Sequence, residues 1–181
     1  MKFILKFKNS FKELRSIKNL SLIAIFWSIW FVLNLAVVEI SGLVSISFEF
    51  IAILLVGAFF GPFVGAFFGF FGDLLCYLIH PVGGFYFLFA VSVMLDGIIY
   101  GLILYKKKFS VKAVILAQIA RDVLTNVLLN TLFISMQLGL KFVPLLLYVR
   151  IPKNILKIPV NLVVVLVLAK FLKKINNTLE K

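Results

Sequence analysis

A chain of 181 residues that is 63% hydrophobic, has a mean hydropathy of +1.15 and carries only 14% charged residues lies outside the range of soluble domains and reads as an all-α integral membrane protein. Its formal net charge of +12 does not mark a nucleic-acid binder, because the basic residues gather between apolar runs long enough to span a bilayer. One cysteine, Cys76, allows no internal disulfide, and the lone histidine His80 argues against a metal site, so neither a metal nor another cofactor is expected.

Met1 to Asn19 interleaves Lys2, Lys6, Lys8, Lys12, Arg15 and Lys18 with Phe3, Ile4, Leu5, Phe7, Phe11 and Leu14. This is the pattern of a short basic amphipathic segment, expected to lie on the anionic cytoplasmic membrane surface. The apolar run that follows has spanning length and no small-residue cleavage site, so it is expected to be a retained helix rather than a signal peptide. Six transmembrane helices are predicted at about 20–38, 46–60, 62–79, 85–105, 111–137 and 144–171, all in one domain over 1–181. Lys106, Lys107, Lys108 and Lys112 join the fourth and fifth helices, and Lys170, Lys173, Lys174 and Lys181 follow the sixth. The loops at 39–45 and 80–84 hold no lysine or arginine. By the positive-inside rule both termini are cytoplasmic, and Lys141 alone opposes this. In the second and third helices Gly57, Gly61, Gly65 and Gly69 recur every four residues, a spacing that lets helix backbones touch in lipid.

Four charged residues interrupt the middle helices: Asp73, Asp96, Arg121 and Asp122. Ionisable groups at that depth either pair or serve a ligand. Mutual neutralisation, with Asp73, Asp96 or Asp122 pairing to Arg121 or Lys157, is the structural alternative. The fifth helix also carries Gln118, Thr125, Asn126, Asn130 and Thr131 on a polar stripe. On the sixth, Arg150, Lys153, Asn154, Lys157 and Asn161 share one face about 100° wide. A lysine or arginine at a helix centre costs roughly 2.5–3.5 kcal/mol on insertion scales, so this face must look into the protein interior, a wet cavity or an anionic ligand. Pro152 and Pro159 free backbone carbonyls where the charges lie. Three cations against few carboxylates in the outer half leave a positive excess, a device for holding carboxylate or phosphate. Phe85, Tyr86 and Phe87 after Gly83-Gly84, with Tyr148, Trp27 and Trp30, offer rings that either stack on a flat heterocycle or anchor the chain at the interface. There is no phosphate-binding glycine loop, no nucleophile with a histidine base and no carboxylate pair at catalytic spacing, so an enzyme is not expected.

Ser45-Ile-Ser47-Phe48, Gly57-Ala-Phe-Phe-Gly61-Pro62-Phe-Val-Gly65, Gly69-Phe-Phe-Gly-Asp73, Pro81-Val-Gly83-Gly84-Phe-Tyr-Phe and Gly97-Ile-Ile-Tyr100-Gly101 together resemble the substrate-binding S component of energy-coupling factor (ECF) vitamin transporters. Asn130-Thr131-Leu-Phe and Arg150-Ile-Pro-Lys153-Asn154-Ile-Leu-Lys157-Ile-Pro159 are most similar to its folate branch. The resemblance covers most of the chain. It implies a six-helix protein of the bacterial cell membrane with a vitamin pocket in its outer half. Its partners would be a transmembrane coupling subunit and two ATPase subunits, which would hydrolyse the ATP while the S component topples to deliver folate. Ala24 and Ser28, four residues apart on the first helix, fit the position that contacts the coupling subunit. Folate pairs a flat pterin with two carboxylates. On this reading Arg150 and Lys153 bind carboxylate, Asn130 and Asn154 hydrogen-bond the ligand, and Gly83, Gly84 and Tyr86 shape a lid. Lys157 lies deeper, within reach of the buried acids. The alternatives are an S component for pantothenate or another vitamin, or a structural or channel-like protein; the confinement of the cations to one end of one helix counts against a pore.

Overall fold

The computed structural model describes residues 2–35, 38–41, 44–46, 48–79, 81, 86–107 and 110–179. Apart from one short antiparallel strand pair and the connecting turns these residues are helical. The chain runs through α1 (Lys2–Glu13) and α2 (Ile17–Leu35), then β1 (Val38–Ser41) and β2 (Val44–Ile46), then α3 (Phe50–Phe60), α4 (Pro62–Ile79) and α5 (Phe87–Leu104). Two long rods follow. The first joins α6 (Val111–Arg121), a π-helical segment Asp122–Leu129 and α7 (Asn130–Leu138); the second joins α8 (Phe142–Leu145), a π-helical turn Leu146–Arg150 and α9 (Ile151–Leu179).

Among the described residues, four helical runs are long and apolar enough to cross a membrane: Ile17–Leu35, Pro62–Ile79, Phe87–Leu104 and Phe142–Lys170. The helix expected at 46–60 is shorter, because 44–46 pairs antiparallel with 38–41, Glu39 facing Ser45. Val38, Ile40, Val44 and Ile46 are β-branched residues that suit a strand better than a helix start. The remaining α3 has 11 residues, roughly 16 Å at the α-helical rise.

The centre of the fold is the contact of α4 with α5, and glycine makes it possible. A Cβ on Gly65 would stand 2.6 Å from the Gly97 carbonyl oxygen, one on Gly69 would stand 2.4 Å from that of Val93, and one on Gly101 would stand 2.3 Å from the nitrogen of Pro62. The four-residue glycine spacing read from the sequence is thus one half of a backbone-to-backbone seam, completed by Gly97 and Gly101. Phe50, Leu54, Val56, Val64, Phe68 and Tyr100 fill the core beside it. Outward-facing Ile25, Val32, Leu128, Leu132, Val163 and Val167 stay exposed, as a lipid-facing surface requires.

α1 is fastened beneath this seam. Ser10, 0% exposed, donates its hydroxyl to the Phe60 carbonyl at 2.6 Å and accepts the backbone N–H groups of Phe63 at 3.1 Å and Val64 at 3.0 Å. It caps the start of α4 from a different helix. The Gly61 corner fits only because its φ of +90° is open to glycine and because a Cβ there would meet Ser10 at 2.8 Å. Lys6 donates to the Leu102 carbonyl at 2.6 Å, and the Tyr105 hydroxyl donates to Glu13 at 2.8 Å. Ser10→Ala leaves two amides and a carbonyl unserved. It is expected to cost about 1–2 kcal/mol, read as a lower unfolding midpoint in detergent, whereas an unchanged midpoint would remove Ser10 from the list of stabilising contacts.

Candidate ligand site

Two polar clusters occupy the interior between α5 and the two rods. The deeper one is closed. Arg121 donates Nε to Asp96 at 2.9 Å and Nη1 to Asp122 at 3.0 Å. Gln118 donates to the second oxygen of Asp122 at 3.0 Å and accepts the Tyr100 hydroxyl at 2.7 Å. Thr125 donates to the second oxygen of Asp96, and the Arg121 guanidinium lies 6.0 Å from the Phe50 ring centre. Asp122 is 0% exposed. Every oxygen of both carboxyl groups therefore has a donor, as buried charge requires. Of the three acids open to pairing from the sequence, Asp96 and Asp122 take Arg121, and Asp73 lies outside the cluster.

The second cluster sits about one turn further along the rods, with Asn126 inside the π-helical segment that begins at Asp122 and Arg150 at the end of the other. A π-helix gains residues per turn and rotates the side chains beyond it relative to an α-helix. Here it turns Asn126 and Thr131 toward Arg150. The Arg150 Nη2 donates to the Asn126 backbone carbonyl at 2.8 Å and meets its side-chain oxygen at 3.4 Å; Nε points to the Thr131 hydroxyl at 3.3 Å. Asn126 donates to Asn154 at 3.0 Å, and Asn154 donates to the Arg150 carbonyl at 2.8 Å. Nε and Nη2 of the guanidinium are thus fixed to the protein while its Nη1 makes no hydrogen bond among the described residues.

The sequence-predicted residues fall as follows. Arg150 and Asn154 meet in this cluster, and both ends of the Asn154 amide are occupied within it. Lys153 is half-buried, and among the described residues neither it nor Lys157 has a carboxylate within ion-pairing distance. The side-chain oxygen of Asn130 is buried without a hydrogen-bond partner among the described residues. Tyr86 is half-buried at the start of α5, edge-on to Phe89 at 5.5 Å. Gly83 and Gly84, like His80, lie outside the described residues. Ala24 and Ser28 are exposed on α2, where the Ser28 hydroxyl bonds back to the Ala24 carbonyl at 3.2 Å.

Asn126, Thr131 and Ser92 were not singled out as ligand residues by sequence reasoning. Asn126 and Thr131 are visible only as part of the polar stripe on the fifth helix. Ser92 is 3% exposed and its hydroxyl has no hydrogen-bond partner among the described residues. The Tyr100–Gln118 and Asp96–Thr125 bonds set α5 antiparallel to the first rod, which brings Ser92 to the level of Asn126 and Asn130, one turn beyond Asp96.

This arrangement defines a helical membrane protein with a polar, cation-bearing interior. Residues 18–169 match the family model described as ECF transporter, substrate-specific component, and the chain belongs to that family. It is 33% identical over 123 residues to the folate transporter FolT of Clostridium novyi (strain NT), a match covering 68% of this chain and 71% of that relative. Its fold resembles the crystal structure of FolT bound with folic acid, with a TM-score of 0.75 and 26% identity over 88% of this chain and 94% of that one. The resemblance carried by the sequence motifs is borne out. The chain is a substrate-specific transporter component, not an enzyme.

Proposed function

We propose that the protein binds folate and serves as the S component of an ECF-type transporter in the bacterial plasma membrane, with both termini cytoplasmic. The observation that carries this is the state of Arg150: a half-buried guanidinium held through Nε and Nη2 by Thr131 and Asn126, with Nη1 unclaimed among the described residues and the half-buried Lys153 one turn away. A planar fork held in place is suited to a carboxylate, and folate carries two. The likeness to FolT of Clostridium novyi and to FolT bound with folic acid supports folate over pantothenate. Asn130, with its unpartnered oxygen, hydrogen-bonds the ligand, and Asn154 holds Asn126 and the Arg150 backbone in register. Gly83, Gly84 and Tyr86 shape the lid. ATP is hydrolysed by two separate ATPase subunits, reached through a transmembrane coupling subunit that docks on α2 at Ala24 and Ser28. The isolated protein then binds folate but does not accumulate it.

Arg150→Ala is expected to weaken folate binding by roughly 10- to 100-fold, the loss of charge-assisted hydrogen bonds, with Arg150→Lys in between because it lacks the fork. Isothermal titration of the detergent-solubilised protein checks this. Wild-type affinity in a folded Arg150→Ala protein would sink the carboxylate role, and absence of folate binding by the wild type would sink the folate reading.

A further inference from the structure

The cations of the N-terminal segment divide into two groups with different employment. Lys6 faces the bundle, where its ammonium serves the Leu102 carbonyl at the end of α5. Lys8, Lys12, Arg15 and Lys18 face away and are exposed, and so are Lys106 and Lys107 in the turn after α5. The two sets are physically joined. Glu13 of α1 accepts the Tyr105 hydroxyl, and Lys106 is held over the Tyr105 ring with its ammonium 5.2 Å from the ring centre. Partial burial and the nearby Lys107 charge both lower the Lys6 pKa, so like charges are gathered here rather than dispersed. Lys106 adopts a φ of +54°, a conformation uncommon for a residue with a side chain. The one carboxylate within α1, Glu13, is spoken for: its second oxygen takes the Asn19 amide at 2.9 Å. It does not neutralise the outward cations.

The outward face is apolar as well as basic. Ile4, Leu5, Lys8 and Lys12 share the side opposite Ser10 at helical spacing, and Ile4 and Leu5 are 70% and 50% exposed, whereas Phe11 sets its ring edge-on against Phe63 of α4 at 5.1 Å. The depth of this face is set by what α1 is fastened to. Ser10 caps the first turn of α4 and Lys6 the last turn of α5, so α1 lies in the plane where those two membrane-crossing helices end. That plane is the headgroup layer.

We propose that α1 and the turn at 105–107 form a binding surface for anionic phospholipid. Ile4 and Leu5 enter the acyl boundary, and Lys8, Lys12, Lys106 and Lys107 take the phosphate groups. Apolar burial beside basic residues is the chemistry of interfacial helices, and each cation near the surface adds to the attraction. Because α1 is clamped to the α4–α5 corner, lipid held here is held by the bundle itself.

The test uses the full chain in lipid nanodiscs. An environment-sensitive fluorophore is attached to Ile4→Cys in a Cys76→Ser background. Quenching by phosphatidylglycerol brominated in its acyl chains is compared with quenching by the same mole fraction of brominated phosphatidylcholine. The expected result is quenching several-fold stronger with the anionic lipid, falling to parity in Lys8→Glu/Lys12→Glu/Lys106→Glu. Folate affinity of these variants stays at the wild-type value, which separates the outcome from that of Arg150→Ala. Equal quenching by the two lipids in the unmutated background overturns the proposal. So does quenching by aqueous iodide alone, or shielding from iodide that arises only when coupling and ATPase subunits are added, since the face would then belong to a protein partner.

Discussion

Arg121→Ala is expected to be the most damaging single change in the protein, lowering stability by about 3–5 kcal/mol, the range seen when one partner of a buried ion pair is removed. Arg121 donates to both Asp96 and Asp122, so its loss leaves two buried carboxyl groups facing each other across an empty space. Gln118 and Thr125 keep one oxygen of each satisfied, which is too little to hold two like charges in a low-dielectric interior. Against a typical total of 5–15 kcal/mol, this removes much of the margin. The check is the yield of monodisperse protein in detergent and its unfolding midpoint. Neutralising the whole set at once, Arg121→Met with Asp96→Asn and Asp122→Asn, is expected to recover most of the loss, because the penalty arises from uncompensated charge and not from missing volume. A stable Arg121→Ala protein would show that the cluster is dispensable.

Gly97→Val is the second. The Cβ alone would stand 2.1 Å from the Gly65 carbonyl oxygen and 2.2 Å from its carbon, whereas non-bonded contacts involving carbon settle nearer 3.5 Å. The obstructing atoms are backbone, so no rotamer change relieves the overlap. α4 and α5 must separate by more than an ångström along a seam that also includes Gly69 against Val93 and Gly101 against Pro62. Overpacking of this kind costs about 1–3 kcal/mol and sometimes more, and here it opens a gap on both sides of the contact. Gly97→Ala is expected to be milder but clearly destabilised. Thermal unfolding of the two variants beside the wild type checks the order, and equal midpoints would mean that the seam adapts.

Much of this was readable in the residues. The membrane class follows from composition, the family from the order of its glycine, proline and basic motifs, and the role of the small residues from their four-residue spacing. That Arg121 would find an acid could be expected from the cost of leaving it alone, although Asp96 and Asp122 could not be separated from Asp73, since depth in a helix says nothing about which neighbour faces which. The pairing of 38–41 with 44–46 falls on the stretch expected to be a loop at 39–45, whose Glu39, Ser41 and Gly42 signal a break in the helices but not strand pairing. The π-helical segments were invisible, because their extra residue per turn shows up only in hydrogen bonding; yet they decide that Asn126 and Thr131, rather than other members of the polar stripe, reach Arg150. Ser92 gave no signal beyond being a hydroxyl at depth. The inward employment of Lys6 and Ser10 could not be read either, since their partners lie 96 and 50 to 54 residues away in the chain.

That last separation bears on how the protein is made. Ser10 leaves the ribosome long before Phe60, Phe63 and Val64, the groups it will cap. Until α3 has entered the bilayer and the Gly61-Pro62 corner has turned back, the cap has nothing to close on. Docking of α1 therefore reports that the first three hydrophobic helices have been threaded in the correct orientation. A chain whose corner emerged on the wrong side of the membrane would carry its N-terminal helix undocked, with Lys6 and Ser10 exposed to water, and so would be distinguishable by proteolysis from a correctly inserted one.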